Sequence, residues 1–334
     1  MKAVVVTGAG GSDKLELRDL ADPQITDPKH IRISVKAAGI NPVDWKCREA
    51  GGFGDGAVPF IPGCDGAGVV ESVGSDVSRF QVGDEVYWME GGVGTGEPGN
   101  CAELALLHED YVAKKPASLS MEAASTVPLA YLTAFEALTK HAGVTSGQKV
   151  LVQAGVGGVG YLAVQIAKHL GAEVFATISS PEKAELAKSF GADHCVNYRE
   201  TNFADEVLKL TDGEGVDVVL DTIGGPVFAS SFPCTKVYGN VTTLDEIPCT
   251  QEEIELAKLR NLSLDFELVL TPMLLDMHET RQWQTGILEE AAKLIDAGTI
   301  KIHNEHVFDL ADLAKAHDLI QEGHVIGKIS VSIN

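Results

Sequence analysis

The sequence lacks any apolar run near the ~20 residues that cross a bilayer, so no membrane-spanning helix is expected. Basic charge is scarce. Lys and Arg number 26 against 48 Asp and Glu, a formal net charge of −22. No Lys/Arg cluster stands out, so the basic patch that neutralises phosphates is missing. Nucleic acid and anionic membrane surfaces are therefore excluded as expected partners. The six cysteines, Cys47, Cys64, Cys101, Cys195, Cys234 and Cys249, include no C-x-x-C pair. A chain of this length needs no disulfides to be stable, so reduced thiols and a cytoplasmic location are the expectation. The apolar stretch after Lys2 stops at Thr7-Gly8, which is too short for the core of an export signal.

What is present is a globular composition, with 45% hydrophobic and 22% charged residues over 334 positions. At ~100–200 residues per domain the length suggests two or three domains. Residues 3–7, 31–37, 68–73 and 85–88 are short Val/Ile-rich segments with turn punctuation, as at Gly83-Asp84. They predict a β-sandwich or barrel. Residues 90–100 (EGGVGTGEPGN) are glycine-rich but lack the G-K-[ST] ending of a phosphate loop, and read as a surface loop.

The middle third alternates. Strands are expected at 149–153, 173–178, 194–197, 216–221, 237–243 and 263–266, and helices at 158–170, 181–190, 203–211, 227–232 and 252–260. That rhythm predicts a parallel, doubly wound sheet. The tail adds helices at 286–297 and 310–322 and a strand at 328–333. The expected fold is α/β: a β-rich domain from 1–126 and 266–334, and a dinucleotide-type domain over 127–265.

Strand 149–153 runs into Ala154-Gly155-Val156-Gly157-Gly158-Val159-Gly160, which opens a helix. Gly155, Gly157 and Gly160 fit G-x-G-x-x-G in its strand–turn–helix context. The glycines let a pyrophosphate approach backbone N–H groups at a helix N-terminus. The next strand ends without the acid that binds a ribose 2′-OH. Ser179, Ser180 and Lys183 follow instead and suit a 2′-phosphate.

Several segments taken in order, A-G-I-N-P-V-D-W-K (38–46), I-P-G-C-D-G-A-G-V-V (61–70), V-G-D-E-V (82–86), L-T-A-F-E-A-L (132–138) and the glycine motif, carry a resemblance. The chain resembles the medium-chain dehydrogenase/reductase superfamily, in its zinc-independent quinone oxidoreductase and enone reductase branch. The resemblance implies a GroES-like β-barrel domain, a Rossmann domain and an active site between them. It implies NADPH, with Lys183 and Tyr198 beside the 2′-phosphate and Thr133 near the nicotinamide. Residues 221–224, 238–240 and 266–269 would wall the cofactor, with Thr222, Gly239, Phe266 and Leu268 among them.

The zinc-dependent members carry Cys where Asn41 stands and His where Cys64 stands, and take a third ligand from the stretch at 127–130, here Val-Pro-Leu-Ala. No metal is expected. In Asn41-Pro42-Val43-Asp44-Trp45-Lys46, Asn41 and Pro42 suit the start of a helix. Asp44 reads equally as a first-turn acid or a site polar group. The resemblance places Lys46 by the nicotinamide, so Lys46, Asn41 and Asp44 are the candidate catalytic residues. The implied activity is NADPH-dependent reduction of quinones or α,β-unsaturated carbonyls. The alternatives are an alcohol dehydrogenase-like enzyme and a non-enzymatic NADPH-binding protein, and a homodimer is a candidate assembly.

Overall fold

The computed structural model describes residues 1–245 and 248–334. The chain divides into two compact units. The first comprises Met1–Leu132, Leu270–Gly298 and Ile302–Asn334. The second comprises Thr133–Val269 with Thr299–Lys301.

In the first unit β1 (Lys2–Val6) pairs antiparallel with β2 (Leu15–Asp19). Strand β3 (His30–Ile40) buries Ile31, Ile33 and Val35 on alternate positions, as period-two apolar patterning requires. Helix α1 (Pro42–Ala50) starts at Asn41 with Pro42 in its first turn and stops at Gly51, whose φ of 85° suits glycine. Then follow β4 (Asp65–Val73), β5 (Glu85–Met89), β6 (Leu104–His108), β7 (Val112–Lys114), α2 (Met121–Ser125) and α3 (Pro128–Glu136). The division between the units falls inside α3, later than the expected boundary near 126.

The second unit runs β8 (Lys149–Val152), α4 (Gly160–His169), β9 (Glu173–Ile178), α5 (Pro181–Ser189) and β10 (His194–Asn197). It continues through α6 (Phe203–Leu210), β11 (Val216–Asp221), α7 (Pro226–Ser230), β12 (Thr235–Thr243), α8 (Gln251–Leu259) and β13 (Ser263–Phe266). All neighbouring strands pair parallel, in the order β10-β9-β8-β11-β12-β13. The winding reverses between β8 and β11. In open parallel sheets that reversal opens a crevice at the carboxyl ends of the strands. Leu151, Phe175, Val196, Val219, Phe228, Phe232 and Val241 fill the core.

The chain then returns to the first unit with α9 (Thr271–Leu274), α10 (His278–Asp296), β14 (Asn304–Asp309), α11 (Leu313–Glu322) and β15 (Lys328–Ser332). Its main sheet is ordered β14-β15-β3-β4-β5-β7, with β6 also on β3, around a core that includes Ile31, Ile33, Trp88 and Val331.

Three expectations are corrected. Helix α10 begins well before residue 286, because its first turns bury Gln284 and Thr285, whose polarity hides the period. The strands β2, β6, β7 and β14 are absent from the sequence reading. Residues 90–100 are a loop exposed only around its tip. Glu90 and Asn100 are buried, and the Asn100 amide donates to the carbonyls of Gly63, Cys64 and Glu90 at 2.9–3.0 Å. Among the described residues no helix is long and apolar enough to cross a membrane.

Candidate functional site

The glycine turn sits at the carboxyl end of β8, at the reversal point of the parallel sheet. Two of its glycines are there for space. A Cβ on Gly155 would lie 2.6 Å from the Ala176 Cβ on β9, and one on Gly160 would lie 2.1 Å from the Ala154 carbonyl oxygen. Helix α4 starts with no side-chain cap. The Tyr161, Leu162 and Ala163 N–H groups already reach the Gly157 and Val159 carbonyls (2.9–3.1 Å), so an anion at the turn would meet the N–H groups that precede Tyr161. The turn is braced from below by buried side chains. The Thr177 hydroxyl donates to Gln153 Oε1 (2.8 Å) and accepts from the Ala154 N–H (2.9 Å). Gln153 Nε2 donates to the Ser231 hydroxyl (3.1 Å), and Thr222 Oγ1 donates to the Gln153 carbonyl (2.8 Å).

Most of the sequence-nominated cofactor residues lie along this same edge. Gly155, Gly157, Gly158, Val159 and Gly160 form the turn and the start of α4. Ser179 and Ser180 follow β9, and the Ser180 hydroxyl accepts the Lys183 N–H (3.3 Å) as the cap of α5. Tyr198 follows β10 and is about half exposed. Thr222 follows β11, Phe266 ends β13 level with Thr243, and Leu268 lies just beyond. Thr133 is buried on α3. Gly239 is a correction. It precedes Asn240, which is level with Val218 and Val150 near the amino ends of the strands. A Cβ there would sit 2.9 Å from the Asp217 carbonyl. The residues of β12 at the cofactor edge are Thr242 and Thr243, since the strand begins earlier than the expected residue 237.

In the first unit Asn41 and Asp44 are buried and Lys46 is exposed on α1. Asp44 Oδ2 accepts the Asn41 backbone N–H (2.7 Å), closing the first turn of α1. Asn41 Nδ2 donates to Asp65 Oδ2 (2.9 Å), and Asp65 Oδ1 accepts the Leu129 N–H (2.8 Å). The sequence reading missed Lys328. It lies on β15, paired to the end of β3, and its ammonium donates to the Ile40 carbonyl (3.1 Å) and to Asn41 Oδ1. Burial raises the Asp65 carboxyl to about 7, against the Lys328 charge and the Asn41 amide. Burial likewise raises Asp44 to about 6, against the Asn41 N–H and Lys328. Burial pushes Lys328 down, opposed by Asp65 and Asp44. Two acids and one ammonium are thus buried together around one asparagine.

These residues do not fit a zinc ion. Asn41 already receives an ammonium. Burial and the nearby Asp44 and Asp65 hold the Cys64 thiol well above the usual range. Among the described residues no cluster of three His, Cys, Asp or Glu could hold a metal.

A sheet of this winding with its glycine turn, in a chain that also carries a mostly antiparallel β unit, defines a nucleotide-binding oxidoreductase architecture. Comparison with known proteins agrees. Residues 27–117 match the alcohol dehydrogenase GroES-like domain, and residues 190–331 match the zinc-binding dehydrogenase family. The chain is 34% identical to a quinone oxidoreductase of Pseudomonas aeruginosa over 95% of its own length and 94% of that protein. It is 43% identical to the 2-methylene-furan-3-one reductase of Solanum lycopersicum over 67% of its length and 57% of that enzyme. The structure of Escherichia coli quinone oxidoreductase complexed with NADPH superimposes with a TM-score of 0.88 at 25% identity, covering 100% of both chains. The chain belongs to the medium-chain dehydrogenase/reductase superfamily, consistent with its quinone oxidoreductase and enone reductase branch.

Proposed function

We propose that the protein is an NADPH-dependent, metal-independent reductase of quinones or of the conjugated double bond of α,β-unsaturated carbonyls. The observation that carries this reading is the cofactor edge of the sheet. A glycine turn there opens a helix N-terminus, and the second strand ends in Ser179-Ser180 with no acid at the strand end itself; Lys183 follows in the first turn of α5, next to Glu182. Gly155 to Gly160 would take the pyrophosphate, and Ser179, Ser180, Lys183 and Tyr198 the 2′-phosphate. Thr133, Thr222, Phe266 and Leu268 would border the rest. The named activities of the two curated relatives and the NADPH complex of the structural relative support the assignment.

Bound NADPH supplies a hydride. The protein's part is to hold the acceptor and stabilise the charge that develops on it. A simple ketone would place that charge on an alkoxide, which needs a Lewis acid or a proton donor at the oxygen. A quinone or enone spreads it into a hydroquinone anion or enolate, for which one ammonium can suffice. The reading assigns that role to Lys46. Asn41 and Asp44, being buried, are assigned to fixing the helix that carries it.

The test is NADPH oxidation by purified protein over a panel of quinones, enals, enones and simple ketones, for wild type and Lys46→Met. Turnover is expected with quinones and enones and not with ketones. Loss of a single such donor costs ~2.7–4 kcal/mol, so Lys46→Met should lower kcat on an enone by on the order of 10²–10³. Quinones, being stronger electrophiles, should lose less. Tight NADPH binding with no turnover on any acceptor would favour the non-enzymatic alternative.

A further inference from the structure

Phe266 and Leu268 are largely exposed at the cofactor edge, whereas Glu267 between them is 6% exposed and faces inward. Its backbone N–H donates to the Thr243 carbonyl (2.9 Å), extending the β12–β13 ladder past the end of the strand. Its carboxylate Oε2 meets His141 Nε2 at 2.8 Å. His141 is delivered there by an uncommon backbone. Helix α3 ends in a π-helical turn, Ala137–His141, in which the Ala142 N–H reaches back to the Ala137 carbonyl (3.1 Å). Such turns concentrate at functional sites. Thr133 and Glu136 lie three residues apart on α3, so they share one face of the helix. Glu136 is itself buried, and its charge acts on Glu267.

We infer that Glu267 is a positioning residue for the nicotinamide end of the cofactor, latching the 266–268 segment onto the helix that carries Thr133. The inference rests on the functional reading above. Phe266 and Leu268 are the wall. Glu267 is the peg that fixes where the wall stands relative to Thr133. The groups facing the peg are Glu136 on α3 and Lys140 and His141 on the π turn. Burial, then the Glu136 charge, raises the Glu267 carboxyl to about 8, with Lys140 opposing. Near neutrality the peg therefore carries a proton and sits beside Glu136 without repulsion. Raising the pH through 8 ionises it against Glu136 and loosens the latch.

The experiment compares wild type, Glu267→Gln, Glu267→Ala and His141→Ala by fluorescence titration at pH 6.5–9. The ligands are NADPH and adenosine 2′,5′-bisphosphate, which lacks the nicotinamide. Wild-type NADPH affinity is expected to weaken about three- to ten-fold between pH 7 and 9, the loss of about one hydrogen bond's net worth. Glu267→Gln keeps the latch without a titrating group and should be flat with pH, while Glu267→Ala and His141→Ala should bind NADPH roughly ten-fold more weakly at pH 7. The bisphosphate should bind all four proteins alike. The inference is overturned if wild type and Glu267→Gln share one pH profile, if Glu267→Ala binds NADPH as wild type does, or if the bisphosphate weakens in parallel with NADPH. A wild type that binds no NADPH at any pH overturns the functional reading and takes the inference with it.

Discussion

Under the proposed function, a single lysine would decide between two nearly identical cofactors. Lys183 stands in the first turn of α5, and the Ser180 hydroxyl that caps that turn is beside it. A charge-assisted contact is worth ~1.5–3 kcal/mol, so Lys183→Ala should weaken NADPH about ten-fold or more and leave NADH almost unchanged. Calorimetry with both nucleotides checks this, and equal wild-type affinities for the two would remove the basis of the assignment. These residues were legible because they sit within one strand–turn–helix of a recognisable glycine motif. Lys328 was not. In K-I-S-V-S it reads as an ordinary strand residue, and only the pairing of β15 with β3 carries its ammonium to Asn41. Glu267 and His141 were hidden for the same reason. Each is a plain polar residue until the fold brings it to its partner.

At the level of elements, the turn between β8 and α4 tolerates little. The gap that Gly160 leaves is filled by backbone, since a Cβ would stand 2.1 Å from a carbonyl oxygen that cannot swing aside like a side chain. Gly160→Ala must therefore open the turn. Overpacking of this kind costs about 1–3 kcal/mol. The expected outcome is a modest fall in Tm and a much larger loss of NADPH affinity, because the N–H groups that on the proposed function would face the pyrophosphate move with the turn. Unchanged affinity in Gly160→Ala would show that the turn does not hold the phosphates. Strands β8, β9 and β11 were legible because each is a mostly buried apolar run between turn residues, while β10 and β13, only partly buried, were legible from their place in the alternation. Gly239 was misplaced because the resemblance put residues 238–240 at a strand end on the cofactor wall. Here it lies inside β12, at an irregularity in the pairing with β11 between Val216 and Val218, and the strand continues to Thr243. Strand β14 alternates half-buried and exposed positions in N-E-H-V-F-D, and so offered too little apolar signal to be read.

Over the whole molecule, the discontinuous order of the units was legible because β-rich and alternating patterns occupy separate stretches of chain. The electrostatic character is less obvious, and it makes stability depend on pH in an unusual direction. The formal charge is −22, so self-repulsion grows as the last acids ionise. Three buried acids remain protonated to unusually high pH: Asp44 to about 6, Asp65 to about 7 and Glu267 to about 8. A carboxyl whose folded value lies above its unfolded one binds more protons in the native state, so stability falls as pH rises through that interval. Lys328, pushed down by burial, works in the opposite sense, while from pH 6.5 upward the acids that still titrate are Asp65 and Glu267, Asp44 having largely ionised by then. His317, which burial lowers to about 3, resists protonation when folded and costs stability only below its unfolded value near 6.5. From pH 6.5 it is neutral when folded and loses its remaining proton when unfolded, so it adds a small rise in stability and drops out by about pH 7.5. Between pH 6.5 and 8.5 each extra proton held by the native state costs about 1.4 kcal/mol per pH unit. Tm should therefore fall by several degrees from pH 6.5 to 8.5, at a few degrees per kcal/mol for units of this size. Raising the salt should recover only the surface share of the loss, because buried groups are poorly screened. Differential scanning calorimetry at low and high ionic strength separates the two shares. A Tm that holds or rises across this window would mean that the buried acids ionise at ordinary values, and the assignment of protonated Asp65 and Glu267 would fall with it.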